Sequence, residues 1–129
     1  FRVHSQCLSQ LNLSNNDLSD MFLCGIAPCL KQCKSLGILV LSRTGLTSQS
    51  LPVLADILSS CPDLQIVFLN GNDFQAENDE GSRQFASAVH ECQNLAYLSV
   101  PKRELVNDQL CRLLDYVHRE RAGQLQIRC

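Results

Sequence analysis

What this chain lacks already narrows its chemistry. No apolar run approaches the length of a membrane span. Eleven lysines and arginines against 13 acids leave a formal net charge of -2, so there is no bulk attraction for nucleic acid or anionic lipid. There is no glycine-rich phosphate loop and no repeated His-Glu spacing of the kind that holds zinc; His4 and His90 stand alone. Asp79 and Glu80 are adjacent carboxylates, but they lack the rigid, buried surroundings that would tune one of them as an acid. The expectation is therefore a protein without catalytic residues, metal or cofactor, and without a small-molecule substrate. A start methionine and a signal segment are also missing, which reads as a piece of a longer protein.

Four segments repeat one pattern. Leu8, Leu11, Leu13, Asn16 and Leu18 recur as Leu36, Leu39, Leu41, Thr44 and Leu46, then as Leu64, Val67, Leu69, Asn72 and Phe74, then as Leu95, Leu98, Val100, Arg103 and Leu105. The first leucines are spaced by 28, 28 and 31 residues. These are leucine-rich repeats, units that cannot bury an apolar face alone and form a core only where neighbours stack. A unit of 28 residues has room for a strand, a turn and a helix of about three turns. Apolar residues return 5, 8 and 12 positions after each strand motif, as Leu23, Ile26 and Leu30, as Leu51, Leu54 and Leu58, and as Leu110, Leu113 and Val117. Those offsets form one helical stripe. With a three-residue insertion allowed, the third unit supplies Phe85 and Val89. The expected fold is α/β: a solenoid of about four repeats, with a curved parallel sheet on the concave face and helices on the convex face. Residues 1–129 are expected to form one domain, with a partial strand near Leu125 that is either shifted or cut.

Local chemistry refines this outline. Asn16 and Asn72 stand where the chain leaves a strand, and their amides can satisfy backbone groups in the turn. Thr44 can do part of this and Arg103 cannot, so the fourth turn should differ. Pro28 falls inside the first helical stripe and should delay or kink it. The insertion, Gln75 to Ser82, is acidic and contains glycine, and Glu77 to Ser82 is expected to be a mobile external loop.

Eight cysteines raise the question of a disulfide scaffold. Cys33, Cys61 and Cys92 each lie three residues before a first leucine, so one structural position accounts for three of them. Free, buried thiols follow, and with them a cytoplasmic or nuclear protein. Cys24 and Cys33 point to opposite sides of a helix, so with Cys29 they do not converge on a metal. Cys111 and His118 share a face but stand roughly 10 Å apart at a rise of about 1.5 Å per residue, too far for a nucleophile and its base.

Strand alternation assigns Gln10 and Asn12, Ile38 and Val40, Ile66 and Phe68, and Tyr97 and Ser99 to the concave face. Ile38, Val40, Ile66, Phe68 and Tyr97 should form one contiguous exposed apolar patch. Such a patch marks an interaction site, is covered by another segment of the parent protein, or reflects strand propensity alone. Beside it, Ser42, Arg43, Asn70, Gly71, Lys102 and Arg103 come from the strand exits. Their cations form either a rim that orients an acidic ligand or a solvated edge.

The helix-backed unit with its LxxLxLxxNxL strand resembles the ribonuclease-inhibitor-like class of leucine-rich repeats from Leu8 to about Val117. That resemblance implies a concave binding surface for macromolecules, as in arrays of NOD-like receptors, actin-regulatory proteins and the tonsoku-like histone chaperone. The functions it leaves open are a non-catalytic module gripping a protein or peptide, a structural or autoinhibitory segment touching other domains of its parent, and a histone or nucleic-acid reader. The last is disfavoured for nucleic acid by the mild acidity.

Overall fold

The computed structural model describes residues 8–129. His4 and Cys7 lie outside them. Strands of three residues alternate with helices: β1 (Gln10–Asn12), α1 (Ser19–Leu30), β2 (Ile38–Val40), α2 (Leu51–Ser60), β3 (Ile66–Phe68), α3 (Asp79–Glu91), β4 (Tyr97–Ser99), α4 (Asp108–Glu120) and β5 (Gln126–Arg128). Short 3₁₀ turns at Ser48–Ser50 and Arg103–Leu105 precede α2 and α4. All five strands pair in parallel in chain order. The result is a solenoid with a curved sheet on its concave face and helices on its convex face.

The repeat pattern fixes the register. Leu11, Leu39, Val67, Leu98 and Ile127 lie in one row across the sheet. Within it Leu39, Val67 and Leu98 are buried, while Leu11 and Ile127 are half-buried because, among the described residues, each has a paired strand on one side only. β5 is the shifted strand: Leu125 is buried directly before it. Leu23, Ile26, Leu30, Leu51, Leu54, Leu58, Phe85, Val89, Leu110 and Val117 are buried as the helical stripe requires. In α4 the stripe turns by one position, so Leu114 is buried and Leu113 is half-exposed.

Two local expectations are corrected. Pro28 does not delay α1, which starts at Ser19 and runs through it to Leu30; so close to the helix end, a missing N–H removes one intrahelical bond. Nor is the whole of Glu77 to Ser82 a loop: Glu77 and Asn78 precede α3, and Asp79 to Ser82 belong to it. Asn78 caps α3, accepting from the Gly81 N–H at 3.0 Å and donating to the Ser48 carbonyl at 2.9 Å. Asp79 and Glu80 then sit favourably in the first helical turn, and Gly81 and Ser82 are buried. The three extra residues, Gln75 to Glu77, stay ahead of the helix, which begins where it does because Asn78 offers a cap and the acids suit the positive end of the helix dipole.

Backbone groups between repeats are satisfied by a few buried side chains. Asn72 Oδ1 accepts from the Thr44 and Leu46 N–H groups at 3.1 and 3.0 Å, and its Nδ2 donates to the Leu41 and Leu69 carbonyls at 2.9 Å each. Thr44 adds a bond from its hydroxyl to the Leu41 carbonyl at 2.8 Å. Asp20 ties the first repeat to the second, accepting from the Thr47 N–H and from the Thr47 and Ser50 hydroxyls.

The position that follows each helix forms a second series. Cys61 and Cys92 cap α2 and α3 at the C-terminal end, and the Cys61 thiol donates to the Leu30 carbonyl at 3.2 Å. Arg121 takes this place after α4. Its buried guanidinium donates to the carbonyls of Val89, Cys92, Gln93 and Leu95 at 2.9 to 3.2 Å. A cation there also meets the negative end of the α3 dipole.

Asn72→Ala should cost about 2–4 kcal/mol, because two buried N–H groups and the Leu69 carbonyl lose their side-chain partner and the Leu41 carbonyl keeps only the Thr44 hydroxyl. Asn16, which is exposed and bonds only the carbonyls of its own turn, should cost less than about 1 kcal/mol when changed to alanine. Chemical denaturation measures both, and equal losses would contradict the inter-repeat role of Asn72.

Candidate functional site

The concave face consists of two rows of side chains that alternate with the buried row. One runs Gln10, Ile38, Ile66, Tyr97, Gln126, and the other Asn12, Val40, Phe68, Ser99, Arg128. Ile38, Val40, Ile66, Phe68 and Tyr97 thus lie on three adjacent strands, about 10 Å across at a strand spacing of roughly 4.8 Å. The rings of Phe68 and Tyr97 meet at 5.4 Å between centroids, tilted by 52°. The expectation of open exposure is corrected: all five side chains are half-buried, because neighbours on tightly spaced strands shield one another. Ser99 is buried. Among the described residues the exposed large apolar groups are elsewhere: Met21 and Phe22 on α1 and Tyr116 on α4.

At the strand exits the side chains are ordered. Asn70 Oδ1 accepts from the hydroxyls of Ser42 and Ser99, at 2.7 and 3.1 Å, so one amide joins three neighbouring strands. Asn15, Arg43 and Gly71 occupy equivalent turn positions, and all three are left-handed, with φ of 62°, 54° and 79°. Arginine pays a steric cost in this conformation that glycine escapes and asparagine eases. The aliphatic stem of Arg43 lies over Gly71, where an added Cβ would stand 2.4 Å from its Cγ.

The fourth turn departs from the others. Arg103, expected on the rim, points to α4 and donates to both carboxylate oxygens of Asp115 at 2.8 Å. The Cys111 side chain, and then Asp115, hold its guanidinium above its ordinary pKa. Lys102 stays exposed beside it. The sequence reading missed Arg128, which the β4–β5 register adds to the concave face. Counting 29 residues on from Ser99 would have found it.

Among the described residues, no cluster of histidine, cysteine and acidic side chains is placed to hold a metal, and no helix is long and apolar enough to cross a membrane. Burial pushes the Cys61 thiol up to about 11, with Cys33 as a lesser cause. Cys33 and Cys92 are raised for the same first reason, partly offset at Cys92 by the Arg121 guanidinium. These thiols are packing groups.

No family model matches the chain, and no curated protein matches it. Solved structures do. The C-terminal domain of tropomodulin from Caenorhabditis elegans superposes with a TM-score of 0.76 at 13% identity, over 95% of this chain and 74% of that one. Leiomodin-1 actin-binding site 2 gives a TM-score of 0.73 at 14% identity, over 92% of this chain and 68% of that one. At such identity the likeness is one of fold. It corrects the expected assignment to the ribonuclease-inhibitor-like class and to arrays of NOD-like receptors or the tonsoku-like chaperone. The units here are uneven: the third carries three extra residues, Gln75 to Glu77, ahead of α3, the fourth turn becomes 3₁₀ and Arg121 replaces a cysteine. A strand motif shared across leucine-rich repeats could not register those differences.

At pH 8 in the folded protein, exposed Cys24, Cys29 and Cys129 should be alkylated quickly. Cys33, Cys61 and Cys92, short of thiolate and shielded, should react only on unfolding. Peptide mass mapping after timed alkylation reads this, and equal rates would contradict the packing role of the capping thiols.

Proposed function

We infer that this chain is a non-catalytic protein-interaction module whose concave sheet receives a segment of a protein partner. The observation that carries the reading is the shared placement of Ile38, Val40, Ile66, Phe68 and Tyr97 on one face, in register and with Phe68 against Tyr97. A half-buried apolar cluster with a polar border is the composition of an interface core and rim. Arg43, Asn70 and Lys102 supply that border.

The finer proposal is that the partner is actin, which rests on the match in fold to a leiomodin-1 actin-binding site. A cytoplasmic setting goes with it and suits the free, buried cysteines. A second reading has its own observation. Met21 is 85% exposed on α1, and a neighbouring repeat stacked there would cover it, as expected of a structural segment in a longer solenoid.

The test is Phe68→Asp combined with Tyr97→Asp. The double variant should keep a melting temperature near that of the parent, since both side chains are half-buried on the sheet surface. Titration with monomeric actin should show saturable binding to the parent and none to the variant. Equal binding by both would move the site off the concave sheet, and no binding by the parent would remove actin as the partner.

A further inference from the structure

Charge is divided between the faces of this molecule. The two concave rows contain Arg128 and not one acidic side chain, although acids outnumber bases in the chain as a whole; the exit turns beside them add Arg43 and Lys102 on the sheet side, with Asp17, Asp73 and Glu104 further along the same turns. Six acids stand on the helices instead: Asp56, Asp79, Glu80, Glu91, Asp108 and Glu120, all exposed. Arg103, the remaining exit-turn cation, is neutralised by Asp115. Arg43 and Lys102 have no acidic partner among the described residues.

Between those two cations lies Gly71, which contributes no side chain, and behind it stands Asn70. Asn70 Oδ1 accepts from the Ser42 and Ser99 hydroxyls, and the two bonds hold the plane of the amide. The amide nitrogen is thereby aimed away from both hydroxyls, and it has no acceptor among the described residues. A donor whose orientation is set by its own acceptor bonds is preorganised for a ligand. Arg43 fits the same purpose, because a left-handed arginine held where equivalent turns use Asn15 and Gly71 is a local strain of the sort that persists at working surfaces.

We propose that the concave sheet takes a partner segment in which a carboxylate stands beside an apolar side chain. The carboxylate accepts from the Asn70 amide between Arg43 and Lys102, and the apolar group packs on Phe68 and Tyr97. This rests on the concave-sheet reading above and adds the chemistry of the ligand. The cations set encounter rate and orientation, the amide sets position, and the aromatic pair supplies most of the affinity. Basic segments are rejected by the same charges.

The experiment is selection of a random peptide library, displayed on phage, against the immobilised chain, followed by titration of the winning peptides. Two variants run in parallel. Asn70→Asp keeps both hydroxyl bonds and the shape of the side chain but replaces the donor with a negative charge, and Phe68→Asp removes the apolar seat. Peptides selected by the parent should pair an aspartate or glutamate with a large apolar residue. They should bind Asn70→Asp at least about tenfold more weakly, with the difference shrinking as salt rises. Winners that lack acidic residues, or that bind Asn70→Asp as well as the parent, overturn the carboxylate proposal and leave the concave sheet in place. Winners that bind Phe68→Asp undiminished overturn the concave-sheet reading itself. A library that yields no binder to the parent chain overturns both.

Discussion

Three-residue strands cannot hold a fold together alone, so everything in this molecule depends on stacking them in parallel without losing register. One slipped residue would turn the buried row of Leu39, Val67 and Leu98 outward and bring the concave residues in. The apolar row resists such a slip, and the buried amide of Asn72 resists it more specifically. Its four bonds close only when the exit turns of the second and third repeats are level. Satisfied buried amides cost little, whereas a mismatched one would leave several backbone groups unpaired.

The same register produces the surface. Because equivalent residues align from strand to strand, a preference for apolar residues at two positions of the motif becomes a patch, and a cation at one turn position stands beside its counterparts. The exit edge shows how far the chain departs from a uniform array. Asn15, Arg43 and Gly71 adopt one turn geometry, and the fourth unit abandons it for a 3₁₀ turn that carries Arg103 to Asp115. After α4, Arg121 answers four carbonyls that a cysteine thiol could not reach.

Most of the architecture was legible in the sequence because it repeats. Leucine spacing located all four full strands and the stripe on each helix, and the loss of asparagine at Arg103 forecast a different fourth turn. What escaped was decided by single contacts across space. The ability of Asn78 to reach the Ser48 carbonyl turned an expected loop into the start of α3. The pairing of Arg103 with Asp115, 12 residues away, removed a cation from the expected rim. Burial at the concave face depends on what stands on the adjacent strand, so alternation named Ser99 correctly as concave but not its burial under neighbours. The class of repeat array was misjudged because the strand motif is common to many arrays, while the differences lie in turns and helix ends.

The most direct test of the account is methyl NMR on protein labelled at isoleucine. Its five isoleucines divide cleanly: Ile38 and Ile66 are on the concave row, Ile26 and Ile57 are buried on helices, and Ile127 lies at the far end of the sheet. Titration with a peptide carrying a glutamate beside a leucine should shift the methyl signals of Ile38 and Ile66 in a saturable manner and leave those of Ile26 and Ile57 in place. Shifts confined to Ile26 and Ile57, with Ile38 and Ile66 unmoved at saturation, would place the ligand among the helices and contradict a concave binding surface.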